Sequence, residues 1–286
     1  MVLVDKFYMD KIAIIGFSCL FPDAKTPEEF WHNLINEKDS TSLLTENDIG
    51  VDPTKFFNPL KNKPDKTYSL MGGYVRDFKF DVTGYNLPSE LLEGLDPLFQ
   101  GCLYVAKQAL QHSNYLSNDR VLSKCGVILG NVSSLTQLSN QLFGSIYQDA
   151  IEAALRELLQ NQNFQLAKLP KSAKLSLYNG MNYGALSALV AQAFSLSDIN
   201  YSLDSACSSS LYAVKLASHY LLSHKADLML AGGVSYTDPI FPRMLFSGIQ
   251  AYPEDDVSRP LDQYSKGLTP GDGVGMVVLK RYSEAI

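Results

Sequence analysis

Short β-branched runs that end on glycine alternate along this chain with longer stretches whose apolar residues recur at helical spacing. Residues 11–16 (KIAIIG) and 125–130 (CGVILG) read as buried strands, and residues 201–203 (YSL) read as a third. After the first strand, Thr26, Pro27 and Glu29 stand where a cap, a first helical residue and a capping-box acid belong, so a helix is expected to run on to Asn36. Asp96-Pro97 opens another helix, with Leu98, Cys102, Val105, Ala106 and Ala109 on one face. Helical spacing returns at residues 151–159, within a Gln- and Leu-rich stretch that reads as scaffold, and at residues 179–194. Residues 39–90 are rich in Asp, Asn, Pro, Lys and Gly and predict a loop-rich surface excursion with a strand-like piece at 73–80. Strands alternating with helices predict an α/β fold.

Composition narrows the class of function. At 286 residues, 46% hydrophobic and 19% charged, the chain is long enough for a sizeable core and too apolar for a disordered polymer. A net charge of −6 argues against general affinity for nucleic acid or an anionic membrane. No apolar run reaches the roughly 18 residues of a spanning helix. The apolar stretch 12–21 follows Asp5 and Asp10 and lacks a cleavage site, so it reads as a buried strand and turn and not as a secretory leader, and the scattered cysteines fit a reducing cytoplasm. Cys19, Cys102, Cys125 and Cys207 lie far apart, with no C-x-x-C pair and no histidine at ligand spacing, so neither a disulfide framework nor a metal site is readable. Gly271, Gly273 and Gly275 miss the dinucleotide-binding spacing and lead into a strand pattern.

Candidate chemistry concentrates at Cys207. The third strand runs into Asp204-Ser205-Ala206-Cys207-Ser208-Ser209-Ser210, and a helix pattern follows at once through Leu211, Val214, Ala217 and Leu221. A nucleophile presented on a strand-to-helix turn needs small neighbours, because backbone and substrate approach closely, and Ala206, Ser208 and Ser209 are small. Unpaired N–H groups at a helix start attract negative charge and can hold a developing oxyanion. On the residues alone, a nucleophile and a buried small hydrophobe both remain open for Cys207; Cys19, Cys102 and Cys125 sit in apolar patterns that favour burial. Asn131, Val132, Ser133 and Ser134 follow the second strand, where open α/β sheets place ligands, and are candidate substrate contacts.

The segment Asp204–Leu211 (DSACSSSL) resembles the active-site signature of the β-ketoacyl synthases, closest to the ketosynthase domains of polyketide and polyunsaturated fatty acid synthases. Four further blocks agree in order: residues 14–22 (IIGFSCLFP), followed by Pro27-Glu28-Glu29-Phe30-Trp31; residues 226–234; residues 258–262 (SRPLD); and residues 271–280 (GDGVGMVVLK). Two departures stand out: Leu98-Phe99-Gln100 after Asp-Pro, and the length of residues 135–175; both bear on the substrate subclass and not on the reaction. A thiolase is a weaker match around Cys207 and Arg259.

The resemblance implies a thiolase-like α/β fold of two similar halves, of which residues 1–286 are the first, with the C-terminal half absent. It implies that Cys207 accepts an acyl group from an acyl carrier protein and that a malonyl thioester then condenses with it. The phosphopantetheine arm comes with the carrier protein, and no bound cofactor or metal is implied. It implies that Asn131–Ser134 line the acyl pocket and that a homodimer forms through Asn200, Tyr201, Ser202 and Leu203. Family members carry two catalytic histidines and a lysine beyond the block that ends here at Lys280, and His32, His112, His219 and His224 lie in helix patterns away from Cys207. The competing expectation is a half-fold without turnover, acting as an acyl-accepting or interaction module. A chain whose apolar surface awaits a second half is expected to aggregate or to need a chaperone.

Overall fold

The computed structural model describes residues 11–132, 135–167, 176–181, 184–236 and 240–286. In chain order the elements are β1 (Ile12–Leu20), α1 (Pro27–Ile35), β2 (Thr41–Leu43), α2 (Glu46–Ile49), β3 (Met71–Gly73), α3 (Ser89–Glu93), α4 (Pro97–His112) and α5 (Asp119–Leu122). Then come β4 (Cys125–Asn131), α6 (Gln137–Leu158), α7 (Ala185–Ala193), β5 (Asn200–Leu203), α8 (Ser209–Leu222), β6 (Leu228–Ser235), α9 (Ile240–Gly248) and β7 (Gly273–Arg281).

Five strands form one mixed sheet in the order β1-β7-β6-β4-β5. β4 runs parallel to β5 and β6, while β7 is antiparallel to both β6 and β1. Alternation along the strands divides the core in two. Val127 and Leu129 of β4 join the cluster under α4 and α7, while Ile128 between them faces Ala213, Ala217 and Leu221 of α8. β2 and β3 make a separate antiparallel pair in the surface excursion.

Several boundaries expected from the sequence move once packing is present. β1 does not stop at Gly16 but pairs with β7 from Ile12↔Arg281 to Leu20↔Val274. Gly16 is a crossing point: a Cβ there would lie 2.6 Å from the Ala109 carbonyl oxygen of α4. Thr26 caps α1 by accepting the Glu29 N–H, but the Glu29 carboxylate takes the N–H of Lys25 at 2.6 Å instead of that of Thr26. The strand expected over 73–80 is confined to Met71–Gly73, because Gly73 turns its N–H to the Pro270 carbonyl and the chain then leaves β2.

The helix expected over 151–159 is the end of the 22-residue α6. Its first half, rich in Gln, Ser and Asn, starts on a reciprocal cap between Thr136 and Ser139 that local propensity conceals. The helix expected from 179 begins at Ala185; residues 177–180 form a 3₁₀ turn instead, and residues 182–183 lie outside the described residues.

Candidate active site

The parallel strands β4, β5 and β6 end on the same edge of the sheet, where Gly130 pairs with both Leu203 and Gly233. The chain leaves β5 at Leu203 and makes a 3₁₀ turn over Ala206–Ser208, and α8 begins at Ser209. Cys207 therefore occupies a strand-to-helix turn at the carboxyl end of the sheet, where α/β folds bind ligands. Cys207 is exposed, whereas Cys19, Cys102 and Cys125 are buried.

Burial also separates the thiols chemically. Burial, reinforced by Glu28 and Glu29, pushes the Cys19 thiol up to about 11, and burial pushes Cys125 up to about 12. Burial raises Cys102 as well. Those three are poor nucleophiles near neutral pH, because the thiolate is the reactive form.

The turn is held by its own small polar residues. Ala206 has φ +49°, a left-handed conformation that costs a non-glycine residue about 1–2 kcal/mol. The Asp204 carboxylate accepts the Ala206 N–H at 2.9 Å, and the Ser208 hydroxyl donates to the Ser205 carbonyl at 2.8 Å. Ser209 Oγ accepts from the Ser205 N–H at 2.8 Å and donates to the Ala206 carbonyl at 2.7 Å.

Two glycines seat the start of α8 on the strands below. A Cβ on Gly130 would meet the Ser209 carbonyl carbon at 2.5 Å, and one on Gly233 would meet Ser210 Cβ at 2.8 Å. Hydrophobic pattern singles out neither glycine, since both read as ordinary strand residues. A signal is nonetheless present: glycine within a strand marks close approach of another backbone.

The other candidates named from the sequence lie at varying distances from this turn. Asn131 ends β4, is 4% exposed and pairs in register with Val234; Val132 beside it is 49% exposed. Ser133 and Ser134 lie outside the described residues. Asn200–Leu203 form β5, an edge strand of the sheet. No histidine joins Cys207 in the turn. His112 Nδ1 accepts the Phe17 N–H at 3.2 Å beside β1, His32 lies in α1, and His219 is about 18 Å along α8 at helical rise. Among the described residues no cluster of three His, Cys, Asp or Glu side chains could hold a metal, and no helix is long and apolar enough to cross a membrane.

Comparison with known proteins converges on one family. Residues 9–285 match the family described as Beta-ketoacyl synthase, N-terminal domain. The chain is 28% identical over 282 residues to a polyunsaturated fatty acid synthase polypeptide of Thraustochytrium sp., and 28% identical over 279 residues to polyketide synthase PksL of Bacillus subtilis. It covers 10% and 5% of those proteins, while 96% of this chain is matched in each case. The solved PfaC keto synthase–chain length factor superposes with a TM-score of 0.91 and 46% identity over 97% of this chain and 30% of that one. A ketosynthase from module 6 of the bacillaene synthase of Bacillus subtilis, 24% identical, shares the fold with a TM-score of 0.68 over 96% of this chain and 41% of that one. The chain belongs to the β-ketoacyl synthase family, and its five-stranded mixed sheet with packed helices is the thiolase-like N-terminal domain fold of that family.

Proposed function

We propose that residues 1–286 form the cysteine-bearing N-terminal domain of a β-ketoacyl-acyl-carrier-protein synthase and that Cys207 is its acyl acceptor. One observation carries this reading: of four cysteines, Cys207 alone is exposed, and it stands on the turn that opens α8. Its thiolate attacks the carbonyl of an acyl thioester on the phosphopantetheine arm of an acyl carrier protein, passes through a tetrahedral oxyanion and expels the pantetheine thiol. In the complete enzyme a malonyl thioester then loses carbon dioxide, and the resulting enolate attacks the acyl–Cys207 carbonyl. The carbon–carbon bond forms as the Cys207 thiolate leaves. The Cys207 N–H, in the turn that opens α8, suits the oxyanion of the first step. Asn131 and Val132, at the same sheet edge, are the described candidates for contact with the acyl chain. A cytoplasmic location fits this chemistry, as does a homodimer formed through β5.

Incubation of the chain with an acyl thioester, followed by peptide mass spectrometry, tests the assignment. The adduct is expected on Cys207; labelling of a different cysteine, or of none, overturns it. A second reading, an acyl-accepting module without turnover, is favoured by the distance of the described histidines from Cys207. Intact acylation without condensation product from acyl- and malonyl-carrier protein supports it.

A further inference from the structure

We propose that Ser209 is a positioning residue for acyl transfer, fixing through its hydroxyl the direction of the Cys207 amide N–H. The inference rests on the reading of Cys207 as acyl acceptor. Ser209 is 6% exposed, so its side chain is held inside the turn and does not face substrate. Its hydroxyl bridges the left-handed Ala206 from both sides, accepting the N–H of Ser205 and donating to the carbonyl of Ala206. The Ser209 backbone N–H donates to that same carbonyl.

That carbonyl belongs to the peptide unit that carries the Cys207 N–H. A trans peptide is planar, with its C=O and N–H pointing in opposite directions. Fastening the Ala206 oxygen inward toward Ser209 therefore directs the Cys207 N–H outward, on the side where an oxyanion would form above the thiol. The close seat of Ser209 on Gly130 keeps the brace from rotating. Loss of the hydroxyl leaves the Ser209 N–H on the Ala206 carbonyl and the Asp204 carboxylate on the Ala206 N–H, but none of the bridge to Ser205, which loosens the hold on the costly conformation of Ala206.

Ser209→Ala and Ser209→Thr, made in the full chain, separate this role from a general structural one. Two reactions at Cys207 are followed: acylation by an acyl N-acetylcysteamine thioester, which needs the oxyanion donor, and alkylation by iodoacetamide, which needs an accessible thiolate but no oxyanion donor. Unfolding midpoints are recorded alongside. Ser209→Ala is expected to slow acylation about tenfold, as misplacement of a preorganised donor does, with alkylation within about twofold of the parent. Ser209→Thr, which keeps the hydroxyl, is expected to return acylation to within about threefold of the parent. Unchanged acylation in Ser209→Ala overturns the proposal, as does a parallel fall in both reactions or a Thr variant as slow as the Ala variant. A parent chain that takes no acyl group overturns the reading of Cys207 itself, a result distinct from a competent parent with an indifferent Ser209.

Discussion

Gly130 and Ser209 approach so closely that a single added methyl group would not fit: a Cβ on Gly130 would stand 2.5 Å from the Ser209 carbonyl carbon and 2.7 Å from its Cβ. The end of β4 thereby sets the height at which α8, and with it the Cys207 turn, rests on the sheet. Gly130→Ala is expected to push α8 away, lowering stability in urea titration by about 1–3 kcal/mol, the usual cost of overpacking. It is also expected to slow acylation of Cys207 beyond what the stability loss explains. An alanine variant with parent-like stability and acylation would show that α8 is not seated by this contact.

Thiol chemistry should discriminate sharply among the four cysteines. Under native conditions near neutral pH, iodoacetamide is expected to modify Cys207, while Cys19, Cys102 and Cys125 react only after denaturation. Cys207→Ala is expected to abolish acylation and to change stability by less than about 0.5 kcal/mol, because the side chain is exposed. Peptide mapping of labelled native protein reads the first outcome, and thermal unfolding reads the second.

Two aspartates predict opposite responses to pH. Burial, opposed by the Val75 N–H bond and reinforced by Asp48, pushes the Asp272 carboxyl up to about 7 from an ordinary 3.8. Between those values the folded chain holds a proton that the unfolded chain has released, so this group makes stability fall as pH rises across the window. Asp272→Asn is expected to flatten that slope in denaturant titrations at pH 4, 5.5 and 7. Asp227 behaves in reverse. Its hydrogen bond to Arg281, then that to Lys124, holds its carboxyl below the usual range, so it contributes stability above the unfolded value and loses it as pH falls through the lower folded one.

Arg281 ties the end of β7 to the far end of α8. Its guanidinium is 2% exposed and donates to the Leu221 and Ala226 carbonyls as well as to Asp227 and Glu284. Arg281→Met is expected to cost about 1–3 kcal/mol, because the Ala226 carbonyl loses the guanidinium donor, while the Leu221 carbonyl keeps the His224 N–H and the half-exposed carboxylates return to water. Urea midpoints of parent and variant measure it.

β5 gives the proposed dimer a direct test. The Val127 N–H bonds the Ile199 carbonyl, so by parallel-ladder alternation Asn200 and Ser202 turn their backbone groups to the free edge. Ser202→Pro removes one outward N–H while leaving the ladder to β4, and Ser202→Ala controls for loss of the hydroxyl that meets buried Ser187 at 3.2 Å. The parent is expected to run as a dimer in light scattering and the Ser202→Pro variant as a monomer; an unchanged mass would place the interface elsewhere.

Local rules determined much of this protein from sequence alone. The buried strand at Cys125, the Asp96 cap of α4, the Thr26 cap of α1 and the placement of Cys207 on a strand-to-helix turn all follow from periodicity, capping and small-residue clustering within a few neighbouring positions. Tertiary structure decided what depends on partners distant in the chain. The exposure of Cys207, which its neighbours in sequence left open, is one such outcome. β1 runs past Gly16 because β7, more than 250 residues later, supplies its ladder. Gly130 and Gly233 matter because α8 descends onto them, and a glycine carries no mark of which backbone will cross it. The role of Ser209 is hidden for a related reason. Its type fits any polar helix start, and only the folded turn shows its hydroxyl bridging a left-handed Ala206 one residue before the thiol.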